Sequence, residues 1–152
     1  MIAAEALQAC AQTQPRAEGN VRLVVRRRGP ATVIAEMFQQ GSAKAMLPRT
    51  FEPGLTAVLL NTAGGITGGD RFGWSAKAGP HTDLTLTTQT AERAYRALPG
   101  ATGHVSTTLA AEPGARLHWL PQETILFDGA ALDRRLTIDL AGDASLLAVE
   151  PL

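Results

Sequence analysis

The sequence predicts a mainly all-β fold of meandering strands with at most one or two short helices. Three observations carry this. Asp83-Leu84-Thr85-Leu86-Thr87-Thr88 and Arg135-Leu136-Thr137-Ile138-Asp139-Leu140 alternate apolar and polar residues, so that one face of each strand is apolar and the other polar. Gly, Pro, Asp and Asn recur at intervals of roughly ten residues, the spacing of turns between short strands. Hydrophobic residues make up 45% of the 152 and charged residues 18%, enough apolar matter for a core and too little charge for a disordered chain.

Taken in order, residues 1–19 are rich in Ala and Gln, end on Pro15 and Gly19, and are expected to form a flexible arm. The β domain is expected over 20–152. Val21–Val25 is its first strand, Arg28-Gly29-Pro30 a turn, and Thr32–Phe38 the second strand. Ala57–Leu60 leads into a glycine-rich loop and Arg71–Ala76 leaves it. Asp83–Thr88, His104–Leu109, Arg116–Leu120 and Arg135–Leu140 follow as strands. Helical spacing is predicted only over Thr90–Arg96, with Thr90 as N-cap. The last segment, Ser145–Leu152, is strand-like and stops without a polar tail, which would leave an apolar edge uncovered. The expectation is a domain truncated at its C-terminus.

Composition excludes several classes of function. Fourteen basic residues balance fourteen acidic ones, so no electrostatic footprint for nucleic acid or an anionic membrane is expected. A single cysteine, Cys10, rules out an internal disulfide and a Cys-based zinc site. No stretch nears the ~18 consecutive apolar residues of a membrane helix, and the N-terminus lacks the basic start of a signal peptide. A soluble, cytoplasmic setting is expected.

The outstanding local feature is Asn61-Thr62-Ala63-Gly64-Gly65-Ile66-Thr67-Gly68-Gly69-Asp70. Glycines at this density allow close backbone approach, as in a phosphate cradle. Against that reading, no Gly-Lys-Ser/Thr is present, the next segment is a strand, and Asp70 would repel an anion. The pattern favours a tight structural loop built on Gly64, Gly65, Gly68 and Gly69, in which Asp70 binds backbone amides. His81, His104 and His118 form no HxH or HExxH pair, so each is expected to pack or face solvent. The chain has four serines, none in G-x-S-x-G, and no paired carboxylates, so no catalytic constellation is predicted. Arg26-Arg27-Arg28 is expected to be a solvated hairpin end.

Several segments together resemble the urease accessory protein UreD family, called UreH in some bacteria. They are Gln40–Lys44, Leu59–Asp70, Thr87–Arg96 and Trp119–Ala130, and the likeness runs from about Val21 to the C-terminus. Family members are considerably longer, so the chain is similar to an N-terminal portion. The resemblance implies a β-rich superhelical scaffold without enzymatic activity, a chaperone for nickel insertion. Its implied partners are UreF, the GTPase UreG and apo-urease. It implies no tightly bound cofactor, only transient nickel, carried along a polar route. Polar residues inside the matching motifs are the candidates for that route: Asp70, Thr87, Gln89, Glu92, Glu123 and Asp128. For each, the alternative role is a structural hydrogen bond. The alternative function is a small β-fold enzyme or nucleotide-binding module using the Gly64–Asp70 loop and Arg93.

Overall fold

Strands with one apolar face must bury that face against another layer. The computed structural model, which describes residues 15–152, solves this with two facing sheets of five strands. The first sheet runs in the order β11 (Leu132–Leu140), β8 (Gly103–Ala111), β5 (Arg71–Ala78), β1 (Glu18–Arg28), β2 (Ala31–Gly41). The second runs β12 (Ser145–Ala148), β9 (Arg116–Leu120), β6 (Asp83–Thr88), β4 (Leu55–Asn61), β3 (Ala43–Met46). A third, two-stranded sheet joins β7 (Glu92–Ala94) to β10 (Thr124–Leu126). No helix occurs among the described residues.

The all-β expectation is met, and the connectivity gives it a superhelical form. Among the described residues only β1/β2 and β3/β4 are antiparallel neighbours. From β4 onward the chain crosses from one sheet to the other, and β5, β6, β8, β9, β11 and β12 each pair in parallel with a strand from the previous coil. Strands of the second sheet begin at Leu55, Asp83, Arg116 and Ser145, so a coil takes roughly 30 residues. Turns on one flank stack as the strands do. The amide of Glu112 donates to Ala78 O at 2.9 Å, and that of Ala141 to Ala111 O at 2.9 Å.

The core lies between the sheets. Alternation turns Leu23, Leu84, Leu86, Leu109 and Leu117 inward, and all five are essentially inaccessible. The strands read from the sequence are all present, and Gly29 takes φ 59° in the turn read at Arg28-Gly29-Pro30.

Two expectations need correction. Thr90–Arg96 is not helical: Glu92–Ala94 forms β7, paired with β10, and Ala94 bridges Ile66 of the glycine loop. A segment this short has little helical stability of its own, so tertiary pairing decides its conformation. The arm read as residues 1–19 already ends before β1, which starts at Glu18. There the Ala17 amide bonds Asp70 Oδ1 at 2.9 Å and Ala17 O accepts the Arg71 amide at 2.9 Å. The rest of that arm, residues 1–14, lies outside the described residues. Short strands β3 and β10 carry no alternation long enough to read. Ser145–Leu152 does begin as a strand, and β12 stands at the edge of its sheet.

Truncating a core leucine is the direct test of this packing. Leu86→Ala is expected to lower unfolding free energy by ~2–5 kcal/mol, while Leu98→Ala, at an exposed site, changes it little. Urea denaturation followed by tryptophan fluorescence reads both.

Candidate functional site

Three of the segments singled out in the sequence meet in space. The Asn61–Asp70 loop joins β4 to β5, and its Ile66 amide donates to Arg93 O at 2.7 Å while Ile66 O accepts the Tyr95 amide at 2.8 Å. Glu92–Ala94 in turn lies beside Thr124–Leu126, with the Glu92 amide on Glu123 O at 2.9 Å and the Phe127 amide on Ala94 O at 3.0 Å. Tyr95 and Phe127 close the outside, ring centroids 5.1 Å apart.

Beneath this layer the two sheets part around a cavity of about 170 Å³. Trp74, Val105 and Leu132 of the first sheet and Leu59 and Trp119 of the second supply apolar walls. Asn61, Gln89, Glu92, Thr107, Thr124 and Arg134 supply the polar groups.

Asn61 organises the entrance. Its Oδ1 accepts the Ala63 amide at 2.9 Å, and its Nδ2 donates to Gly65 O at 3.0 Å and to the Glu92 carboxylate at 3.3 Å. Burial pushes the Glu92 carboxyl above its ordinary value. The Asn61 hydrogen bond, the Arg93 amide and the charge of Arg134 oppose that shift without cancelling it. On the far wall Arg134 donates to Glu150 at 3.0 Å and to the Thr124 hydroxyl, and Glu150 also accepts the Trp119 indole N–H. A cationic and an acidic group thus face one cavity, each already partnered.

The loop itself is packed tight. Gly64, Gly65 and Gly69 take positive φ. At Gly65 a Cβ would sit 2.3 Å from the Tyr95 ring, and at Gly68 it would sit 2.7 Å from Ala101 Cβ. The amides of Ile66, Thr67, Gly69 and Asp70 are all bonded within the protein. Asp70 is 5% exposed and does what the sequence indicated: its carboxylate takes the Ala17 amide at 2.9 Å and the Thr67 amide at 2.8 Å.

The polar residues read from the motifs are therefore distributed, not gathered. Gln89 and Glu92 line the cavity. Thr87 lies on the outer face of β6, its hydroxyl on Leu120 O at 2.7 Å. Glu123 is exposed and contributes its carbonyl, and Asp128 is exposed and pairs with Arg96 at an Asp-Gly turn. Among the described residues no three His, Cys, Asp or Glu side chains converge as a metal site would require. Sequence reasoning missed Asn61, Arg134 and Glu150. Asn61 was visible as the polar residue heading the loop; Arg134 and Glu150 sit in strand-like runs that carry no mark.

Fold and site together define a mainly parallel two-sheet β superhelix with a pocket of mixed polarity between its sheets. The model of the UreD urease accessory protein family matches residues 17–152, and the chain belongs to that family. It is 56% identical over 124 residues to the urease accessory protein UreD of Ruegeria pomeroyi, covering 82% of this chain and 48% of that one. To the UreD of Rhizobium rhizogenes it is 52% identical over 143 residues, covering 93% and 52%. The chain spans about half the length of these relatives. No helix among the described residues is long and apolar enough to cross a membrane.

Two outcomes follow. Asp70→Ala strands two part-buried amides and is expected to lower stability by ~1–3 kcal/mol in urea denaturation. For Glu92 the folded value lies above the unfolded one, so the folded state holds the extra proton between them. Stability therefore falls as pH rises through that window and is level above it. Glu92→Gln removes the penalty and is expected to be more stable than wild type at neutral pH. The difference should vanish below the ordinary carboxylate value; a constant difference at all pH values contradicts the assignment.

Proposed function

We propose that this chain acts in urease maturation as a non-catalytic scaffold, holding UreF and UreG against apo-urease while nickel is delivered. The reading rests on the family match over residues 17–152, supported by the meeting of its motif segments around one cavity. Nickel is cargo here, and no tightly bound cofactor is assigned. Of the candidate route residues, Glu92 and Gln89 face the cavity and offer oxygen donors, which hold a divalent ion weakly enough to release it. A cation would offset the desolvated charge of Glu92, while Arg134 on the opposite wall works against long residence. Asp70, Thr87, Glu123 and Asp128 would belong to the route only outside this cavity. The setting is cytoplasmic, where the urease partners would be met.

Deleting the gene in the cell that encodes it is expected to leave urease polypeptide at normal levels. Urease activity and urease-bound nickel should fall together, and both should return when the chain is restored. Full activity without the chain would overturn the proposal. Saturable GTP or ATP binding by the purified chain would instead favour a nucleotide-binding module at the Gly64–Asp70 loop, whose bonded amides argue against it.

A further inference from the structure

The chain's two tryptophans, Trp74 on β5 and Trp119 on β9, both wall the cavity between the sheets. With Leu59, Val105 and Leu132 they make that wall mainly apolar. One buried group breaks the pattern. Across the first sheet Val21, Trp74, Thr107 and Leu136 stand in one register row. Along β8 the inward residues on either side of Thr107 are Val105 and Leu109. Thr107 is therefore a hydroxyl set among apolar neighbours, 3% exposed, where a valine would have the same shape. Burying a hydroxyl without a partner costs free energy. Fully enclosed side-chain polar atoms among the described residues all have hydrogen-bond partners. No described residue takes up the Thr107 hydroxyl, which leaves it to the cavity that it lines.

The charges around the cavity oppose residence of an ion of either sign. Arg134, bonded to Glu150 and to the Thr124 hydroxyl, repels a cation. Glu92, held by Asn61, and Glu150 repel an anion. An uncharged occupant meets neither opposition and keeps both sets of bonds intact. The volume sets its size. At about 170 Å³ the space suits a single six-membered ring, since an engineered apolar cavity of ~150 Å³ takes up benzene. Tryptophan walls favour a ring further, through offset or edge-to-face contact.

We infer that this cavity is a binding site for a small uncharged aromatic molecule carrying one hydrogen-bonding group, phenol being the simplest of the class. The ring lies among Trp74, Trp119, Val105 and Leu132, and its polar group pairs with the Thr107 hydroxyl.

Because the chain holds no third tryptophan, the intrinsic fluorescence of the purified whole chain reports this site directly. Phenol, benzene, benzoate and benzylammonium are titrated at neutral pH, with excitation beyond phenol's own absorption. Phenol is expected to change the emission saturably and to bind several-fold more tightly than either ion. Thr107→Val keeps the shape and removes the hydroxyl, so it should weaken phenol several-fold while benzene binds as before, and Thr107→Ser should hold phenol better than Thr107→Val does. Leu132→Phe fills part of the space and should weaken phenol and benzene together, with the circular dichroism spectrum unchanged. The inference is overturned if phenol gives no saturable change, or if Thr107→Val binds phenol as the wild type does. Equal or tighter binding of benzoate or benzylammonium likewise overturns it, by giving the cavity to an ion. No urease component enters the experiment, so its outcome is separate from that of the maturation assay.

Discussion

From β6 onward, each strand of the second sheet hydrogen-bonds to a strand made roughly 30 residues earlier, with a strand of the other sheet in between. No hairpin can make that pairing, so every coil depends on its crossovers to bring distant segments into register. Closing such loops costs entropy before any contact compensates it. The Asn61–Asp70 crossover meets this demand with two side-chain clamps. Asn61 fixes its start to Gly65 and Glu92, and Asp70 fixes its end to Ala17 and Thr67. The second clamp also seats the start of β1 beside β5, so one carboxylate joins the hairpin to the superhelix.

This dependence separates what the sequence discloses from what it conceals. Alternation and turn residues are local, and they locate the long strands, the Arg28-Gly29-Pro30 turn and the structural character of the glycine loop. Parallel pairing is not local. Thr90–Arg96 has helical spacing and becomes a strand because Ile66 and Thr124–Leu126 lie on either side of it, contacts at sequence distances that no local pattern encodes. The coil length leaves no sequence repeat either. Backbone pairing repeats every coil, while side chains need only alternate, so Leu84-Thr85-Leu86 and Leu117-His118-Trp119 occupy matching positions without resembling each other.

The site was legible to the same extent. Motif position picked out Gln89 and Glu92, which do face the cavity, along with Asp128, whose place in an Asp-Gly turn most favoured a structural role and which sits on a solvent-exposed turn. Strand parity would have helped. Thr87 and Thr88 are neighbours, and only Thr88 shares the inward side with the cavity. Arg134 and Glu150 were beyond reach, since the first looks like any charge in an alternating strand and the second like a chain-end carboxylate. Only the facing of two sheets makes them a pair that also holds Trp119.

That pair bears on how the cavity works. A pocket built to retain a cation would concentrate unpaired carboxylates, and here Glu150 is taken up by Arg134 and Trp119 while Glu92 is held by Asn61. Burial already favours the protonated form of Glu92, so a proton competes with any cation for the same oxygens. Arg134, whose charge is felt at Glu92, adds a repulsive contribution from across the cavity. Weak attraction, proton competition and a fixed positive charge leave the cavity poorly suited to retaining a cation. They also keep the walls joined: the groups that would handle a cation are the ones whose hydrogen bonds tie the first sheet, the second sheet and the glycine loop together. A substitution at Glu92 or Arg134 therefore changes packing and polarity at once, which is why conservative amide replacements separate the two effects and alanine replacements do not.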